Sequence, residues 1–271
     1  MRPLRRGVPD VESTQFGEPP RFGLYHPANG EGSRGRGVLI CPPIAHEHIR
    51  SHRALRFLAV QLARAGFDVL RFDYFAVGDS AGDSEEAQVA HWQADVGAAA
   101  GELRALAGVD SLAVLGVRFG ATLAATAKGL PTVQHLVLWD PIVDGRQYLQ
   151  RMEEMHKAML VDSHCFQHPR QEQSGPGLLG FPFAPALRAG IAACHLHALD
   201  RWPSERVTIV KGGDLFETES LVRELQQRGI SATLRQATTS VDWEDRDAVG
   251  RSLTAGDVQD AILAALLEGR S

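Results

Sequence analysis

The sequence predicts an α/β fold in which a mostly parallel central sheet carries helices on both faces. Short apolar runs of strand length alternate with longer segments whose apolar residues recur at helical spacing. That alternation calls for parallel strands covered on both sides. Glycine-rich turns punctuate the alternation, as turns between such elements should. With 271 residues and 44% hydrophobic content, the chain can bury one large core.

Residues 1–20 are polar and contain Pro and Gly, which predicts a flexible N-terminal arm ahead of a single domain over 21–271. "RFGLYHPA" and "RGVLICPP" each have strand character and are joined by the glycine-rich "NGEGSRG". "SHRALRFLAVQLARAGF" has helical spacing, with Ser51 as the expected N-cap and Gly66 as its C-terminal stop. "FDVLRFDY" is a short apolar strand, and "AQVAHWQADVGAAAGELRALAG" is an amphipathic helix. "SLAVLGV", "ATLAATAKG", "VQHLVLWD", "RVTIVKGGD", "SLVRELQQRG", "SATLRQA" and "DVQDAILAALLEG" continue the pattern. The exception is residues 141–205, where "YLQRMEEMHKAML" is helical but the Pro-, Gly- and aromatic-containing stretch after it has no regular period. An insertion after the sixth strand supplies either a cap over the carboxyl edge of the sheet or a plain surface excursion.

Composition narrows the function classes. A net charge of −5, with no basic stripe, argues against nucleic acid as a partner. No apolar stretch approaches the length of a membrane span, and the basic N-terminus lacks the apolar run of a signal peptide. Cys41, Cys165 and Cys194 are odd in number and scattered, which suits a reducing compartment. The expectation is a soluble cytoplasmic protein. His164, His168, His195 and His197 lack zinc-site spacing, so no metal and no cofactor is expected.

"SLAVLGVRFGATLAATA" runs a strand into a tight corner and out into a helix. Gly116-Val117-Arg118-Phe119-Gly120 has the spacing of G-x-S-x-G, the nucleophile elbow, with Gly120 and Ala121 small enough for the helix to pack on the strand. Arginine stands at the serine position. A guanidinium stays protonated and offers no lone pair for attack. The base of a Ser-His-Asp relay would fall after the last strand, yet the last histidine of the chain is His197. An ordinary serine-hydrolase mechanism is therefore not expected.

"GVLICPPIAHE", "LARAGFDVLRFDYFAVGDSAG", "GVRFGATLAA" and "LVLWDPIVDGRQYL" resemble the α/β-hydrolase superfamily, in its serine-aminopeptidase-like branch, over roughly residues 36–150. The "GDSAG" turn and "WDPIVDG" look closest to exosortase-A-system-associated hydrolase-like proteins. The resemblance implies an α/β-hydrolase fold with a cap or lid after strand 6. It also implies that arginine at the elbow and a histidine-poor C-terminus belong to the subgroup.

Arg118, at a helix start on top of the sheet, is either an anion hook for a carboxylate or phosphate or one half of an internal salt bridge to Glu47, Asp73 or Asp140. Val117, Phe119, Pro43 and Ile44 would line that site. In the loop "CPPIAHEHIRSHR", His46 and Glu47 are the candidates to face the pocket, with Asp140 beside them, for proton transfer. His48, Arg50, His52 and Arg53 read as a solvated helix start. Cys41 is either a substitute nucleophile or a small buried hydrophobe. Asp214 near the usual acid position is a further carboxylate, Ser80 belongs to a turn, and Trp243 falls where the missing histidine would stand.

Two functions remain. One is non-serine acid–base or water-mediated chemistry on a small anionic acyl or ester-like substrate. The other is a catalytically inactive pseudoenzyme that binds a small ligand or serves other enzymes of a pathway. A small anionic molecule is the expected ligand, and a homodimer or a pathway enzyme the candidate protein partner.

Overall fold

The computed structural model describes residues 11–29, 34–162, 177–213, 217–238, 241–244, 253 and 255–268. β1 (Glu12–Phe16) and β2 (Arg21–His26) come first. β3 (Arg36–Cys41) leads into α1 (Ala45–Arg64), β4 (Asp68–Phe72) into α2 (Val89–Ala107), and β5 (Ser111–Val117) into α3 (Phe119–Thr126). β6 (Val133–Trp139) leads into α4 (Gly145–Val161), and the short pair β7 (Gly177–Leu178) and β8 (Phe181–Pro182) precedes α5 (Pro185–Ala192). β9 (Arg206–Lys211), α6 (Thr218–Gln227), β10 (Ser231–Gln236) and α7 (Gly256–Leu267) follow.

The strands form one sheet in the order β1-β2-β4-β3-β5-β6-β9-β10. β2 runs antiparallel to both neighbours, and every other pair from β4 to β10 is parallel. The order turns back at β3, between β4 and β5. Consecutive strands there carry their helices to opposite faces and open a crevice at their carboxyl ends. One face buries Leu58, Leu62, Val258 and Ile262 of α1 and α7 against Val38, Ile40, Leu115 and Val137. The other packs α2, α3 and α6 on Leu39, Leu70, Val114 and Leu138. Both layers are buried and apolar, which fixes the strand register.

Two segments differ from the sequence expectation. The stretch read as an arm contributes β1, which pairs with β2 from Glu12↔Tyr25 to Phe16↔Arg21; residues 1–10 lie outside the described residues. "ESTQF" is an edge strand with a largely exposed pattern, so it lacks the apolar signature of an interior strand. α1 begins at Ala45, six residues before Ser51, which lies buried inside the helix with Oγ donating to the His48 carbonyl. Its first turns bury Glu47, Arg50 and Ser51 on the face that later carries Leu55, Leu58 and Leu62. A polar start to an apolar stripe hides a helix from periodicity.

Candidate functional site

The corner between β5 and α3 is built for close approach. Arg118 sits at its apex with φ 53° and ψ −123°, a left-handed conformation costly for a residue with a Cβ, roughly 1–3 kcal/mol. A Cβ at Gly116 would stand 2.4 Å from the Ala121 Cα, and one at Gly120 would stand 2.2 Å from the Pro42 carbonyl oxygen. Only glycine fits at either position. Backbone bonds hold the turn from both sides: the Arg118 N–H donates to the Trp139 carbonyl at 2.9 Å, and the Ala121 N–H to the Arg118 carbonyl at 3.0 Å.

The Arg118 side chain is an internal group. Its Nε donates to Glu47 Oε1 at 2.8 Å, and each residue is only 2% exposed. Nη1 reaches the Asp140 carbonyl oxygen at 3.5 Å, and Cζ lies 5.3 Å from the Trp243 ring centre, within cation–π range. Burial pulls the Arg118 pKa down, but the adjacent Glu47, helped by Tyr148 and Asp140, leaves it above the ordinary guanidinium value. The second Glu47 oxygen accepts from the Tyr148 hydroxyl at 3.0 Å, and the Tyr148 ring stacks on Phe119 with centroids 5.8 Å apart. Burial, followed by the Glu47 charge, holds the Tyr148 phenol well above its usual range. Of the three carboxylates considered for Arg118, Glu47 is the one that pairs. Asp140 contributes its backbone, and Asp73 faces His48 at 3.6 Å.

Asp140 has both carboxylate oxygens engaged. Oδ1 accepts from the N–H groups of Gly212 and Gly213 at 2.8 and 3.1 Å, and Oδ2 accepts from Trp243 Nε1 at 2.8 Å. The Trp243 segment is clamped in turn by Arg50, whose Nη1 and Nη2 donate to the carbonyls of Trp243 and Asp242 at 2.6 and 3.0 Å. Arg50 is therefore buried and structural, in contrast to the solvated position expected of it. Its charge is met by two carbonyls of a distant loop, a pairing without local sequence signature. Arg118, Trp243 and Asp140 thus form a contiguous set, with the indole N–H donating to the acid.

The other sequence candidates fall around this set. His46 lies in the first turn of α1, and neither ring nitrogen has a hydrogen-bond partner among the described residues. Burial lowers its pKa, opposed by Glu47 and reinforced by Arg50 and Arg118. Val117, Phe119, Pro43 and Ile44 are buried, so they wall the elbow. The Cys41 thiol is fully buried and pushed well up by that burial, which disfavours the thiolate a nucleophile needs. Ser80 ties its turn to the sheet, donating to the Asp73 carbonyl at 2.7 Å and accepting from the Phe22 N–H at 2.9 Å. Asp214, Cys165, His164 and His168 lie outside the described residues. Beside the elbow, Ile44, His48, Ile49, Trp92, Phe181 and Leu187 line an apolar cleft of about 290 Å³. No group of residues able to hold a metal ion occurs among the described residues, nor does a helix long and apolar enough to cross a membrane.

Sequence reasoning missed the hydroxyl that Tyr148 gives Glu47 and the clamp formed by Arg50. Both join residues more than 100 positions apart.

No family model and no curated protein matches the chain. Solved structures do. An esterase from Pyrococcus furiosus superposes with a TM-score of 0.62 at 12% identity, covering 99% of this chain and 96% of the esterase. A serine hydrolase without a lid from Xanthomonas campestris gives 0.59 at 16%, covering 98% and 97%. Carboxyl esterase 2 from Tuber melanosporum gives 0.60 at 14%, covering 97% and 86%. At such identities the likeness is one of fold, and the architecture of this chain is the α/β-hydrolase fold.

Proposed function

We propose that this chain is an α/β-hydrolase-fold protein that binds rather than cleaves, its catalytic relay replaced by a structural one. The observation that carries the reading is the Arg118–Glu47 pair, sealed from solvent at the position where a nucleophile would stand. A buried guanidinium already matched by a carboxylate is a poor hook for a second anion, because displacing Glu47 would strand a buried charge. Trp243 in the place of the relay histidine supports the same reading. An indole N–H donates but takes no proton. Asp140 then orients an indole instead of an imidazole.

In this reading the ligand is a small, largely apolar molecule held in the cleft beside the elbow, and the protein serves as an accessory in a biosynthetic pathway. Residues 141–205 act as the cap, with Phe181 and Leu187 closing one wall of that cleft. The resemblance of the motifs quoted above supports a place in the serine-aminopeptidase-like branch, near the exosortase-A-system-associated proteins, as part of this reading. A second reading, acid–base chemistry by His46 with Glu47 and Asp140, draws on one observation: a neutral, unpartnered imidazole beside Arg118.

The test combines a fluorophosphonate probe with a panel of p-nitrophenyl esters. The expected result is no covalent labelling and no saturable turnover. Labelling of any serine overturns the proposal, and saturable turnover that His46→Ala abolishes selects the acid–base reading.

A further inference from the structure

A second cavity, of about 300 Å³, lies between α1 and the β2–β4–β3 side of the sheet, on the face opposite α2 and α3. Its polar lining is Arg71, His48, His52, Asp73 and Asp79. Arg71 is 9% exposed, and neither Nη is among the buried atoms left without a partner, so the outer guanidinium nitrogens open onto the cavity. Its single hydrogen bond among the described residues runs from Nε to His26 Nε2 at 3.3 Å, and no carboxylate reaches it at salt-bridge distance. Burial, followed by the charges of Arg71 and Arg56, holds His26 down to about 4, so it accepts as a neutral ring and brings no charge. Burial lowers Arg71 itself to about 10, which still leaves it protonated at neutral pH.

This contrasts with the elbow. There a buried arginine is bonded to its carboxylate; here, among the described residues, Asp73 acts on Arg71 through its charge without a salt bridge. Asp73, the nearest carboxylate, is engaged by His48 at 3.6 Å and by the Asp79 N–H at 3.1 Å. The remaining walls include Phe22, Leu24, Ile40 and Leu55, which are apolar. We propose that this cavity is a binding site for a small monocarboxylate, its anion on Arg71 and its hydrocarbon body against Leu24, Ile40 and Leu55. One cation matches one negative charge. Asp73 and Asp79 oppose any anion there, a dianion more than a monoanion, so the site favours a carboxylate over a phosphate dianion. The volume falls at the small end of ligand sites, which limits the body to a short chain. The site stands on the α1 face and does not depend on the binding reading of the elbow.

The experiment is thermal denaturation of the whole chain with sodium hexanoate, hexanol or inorganic phosphate at matched ionic strength. Hexanoate raises Tm saturably, by about 2–4 °C or more, and hexanol and phosphate do not. Arg71→Met loses the response, since it removes the group that holds the anion. Leu24→Trp, filling the cavity from the β2 position opposite Arg71, loses the response with the cation intact. That variant keeps the test open should Arg71→Met fold poorly. The absence of a saturable hexanoate shift overturns the proposal, as does a shift that survives in Leu24→Trp. A phosphate response equal to that of hexanoate overturns the choice of a monocarboxylate. Each of these failures leaves the elbow reading untouched, because none involves Arg118 or Glu47.

Discussion

Trp243 Nε1 donates to Asp140 Oδ2 at 2.8 Å, joining an indole N–H to a buried carboxylate whose other oxygen accepts from Gly212 and Gly213. The same ring lies beneath the Arg118 guanidinium and meets Trp139 edge-on at 5.4 Å. In the proposed reading, this bond keeps the hydrogen-bonding half of a relay without its proton-accepting half.

Trp243→Phe keeps an aromatic face for Arg118 but leaves a buried carboxylate oxygen of Asp140 without its donor. The expected loss of stability is about 1–3 kcal/mol, measured by urea denaturation. Near-UV circular dichroism should lose the signal of the Trp139–Trp243 contact. No change in stability would mean that the bond carries nothing.

Arg118→Ser restores the hydroxyl of an elbow without restoring a base. It also leaves Glu47 buried without its cation, at a cost of roughly 3–5 kcal/mol. The expected protein is destabilised and still unlabelled by fluorophosphonate. Mass spectrometry showing a phosphonate adduct on residue 118 would contradict this.

Gly120→Ala tests the corner. The added Cβ would sit 2.2 Å from the Pro42 carbonyl oxygen and 2.5 Å from that of Cys41, both backbone atoms. The variant is expected to fold poorly or to melt far below the parent. Gly101→Ala, where an added Cβ meets open space, is expected to match the parent or exceed it.

Stability should fall with acid through a histidine far from the elbow. Burial first, with Arg206, Arg36 and Arg235 behind it, lowers His135 from 6.5 to about 3 in the folded state. Its Nε2 lies 2.8 Å from Thr208 Oγ1. Below pH 6.5 the unfolded chain binds a proton that the folded chain refuses. The contribution of His135 is therefore complete above pH 6.5 and is lost as pH falls toward 3, amounting to a few kcal/mol, order of magnitude. Denaturation midpoints across pH 4–7 should flatten in His135→Gln; an unchanged profile would remove His135 as the cause.

The fold was legible because its signals are local. "SLAVLGV" is apolar on both faces, as an interior parallel strand must be, and Gly116 and Gly120 flank the corner at the spacing the geometry demands. β1 was not legible, because "ESTQF" pairs along one edge and shows mainly polar side chains. Around the elbow, residue types were legible and pairings were not. Glu47 and Arg50 look in sequence like any charged helix start. Their burial follows from Arg118 and from the Trp243 loop, 71 and 193 positions away. Three alternatives stood for the partner of Arg118, and composition could not choose among carboxylates that only tertiary packing separates.

The most direct measurement is a double-mutant cycle on Arg118→Met and Glu47→Gln by chemical denaturation. A sealed, structural pair predicts that each single variant loses several kcal/mol, that the double variant loses less than the sum, and that the coupling is at least about 2 kcal/mol. Additive losses with coupling near zero would mean that Arg118 is free of Glu47 in solution, and the elbow would again be open to a ligand.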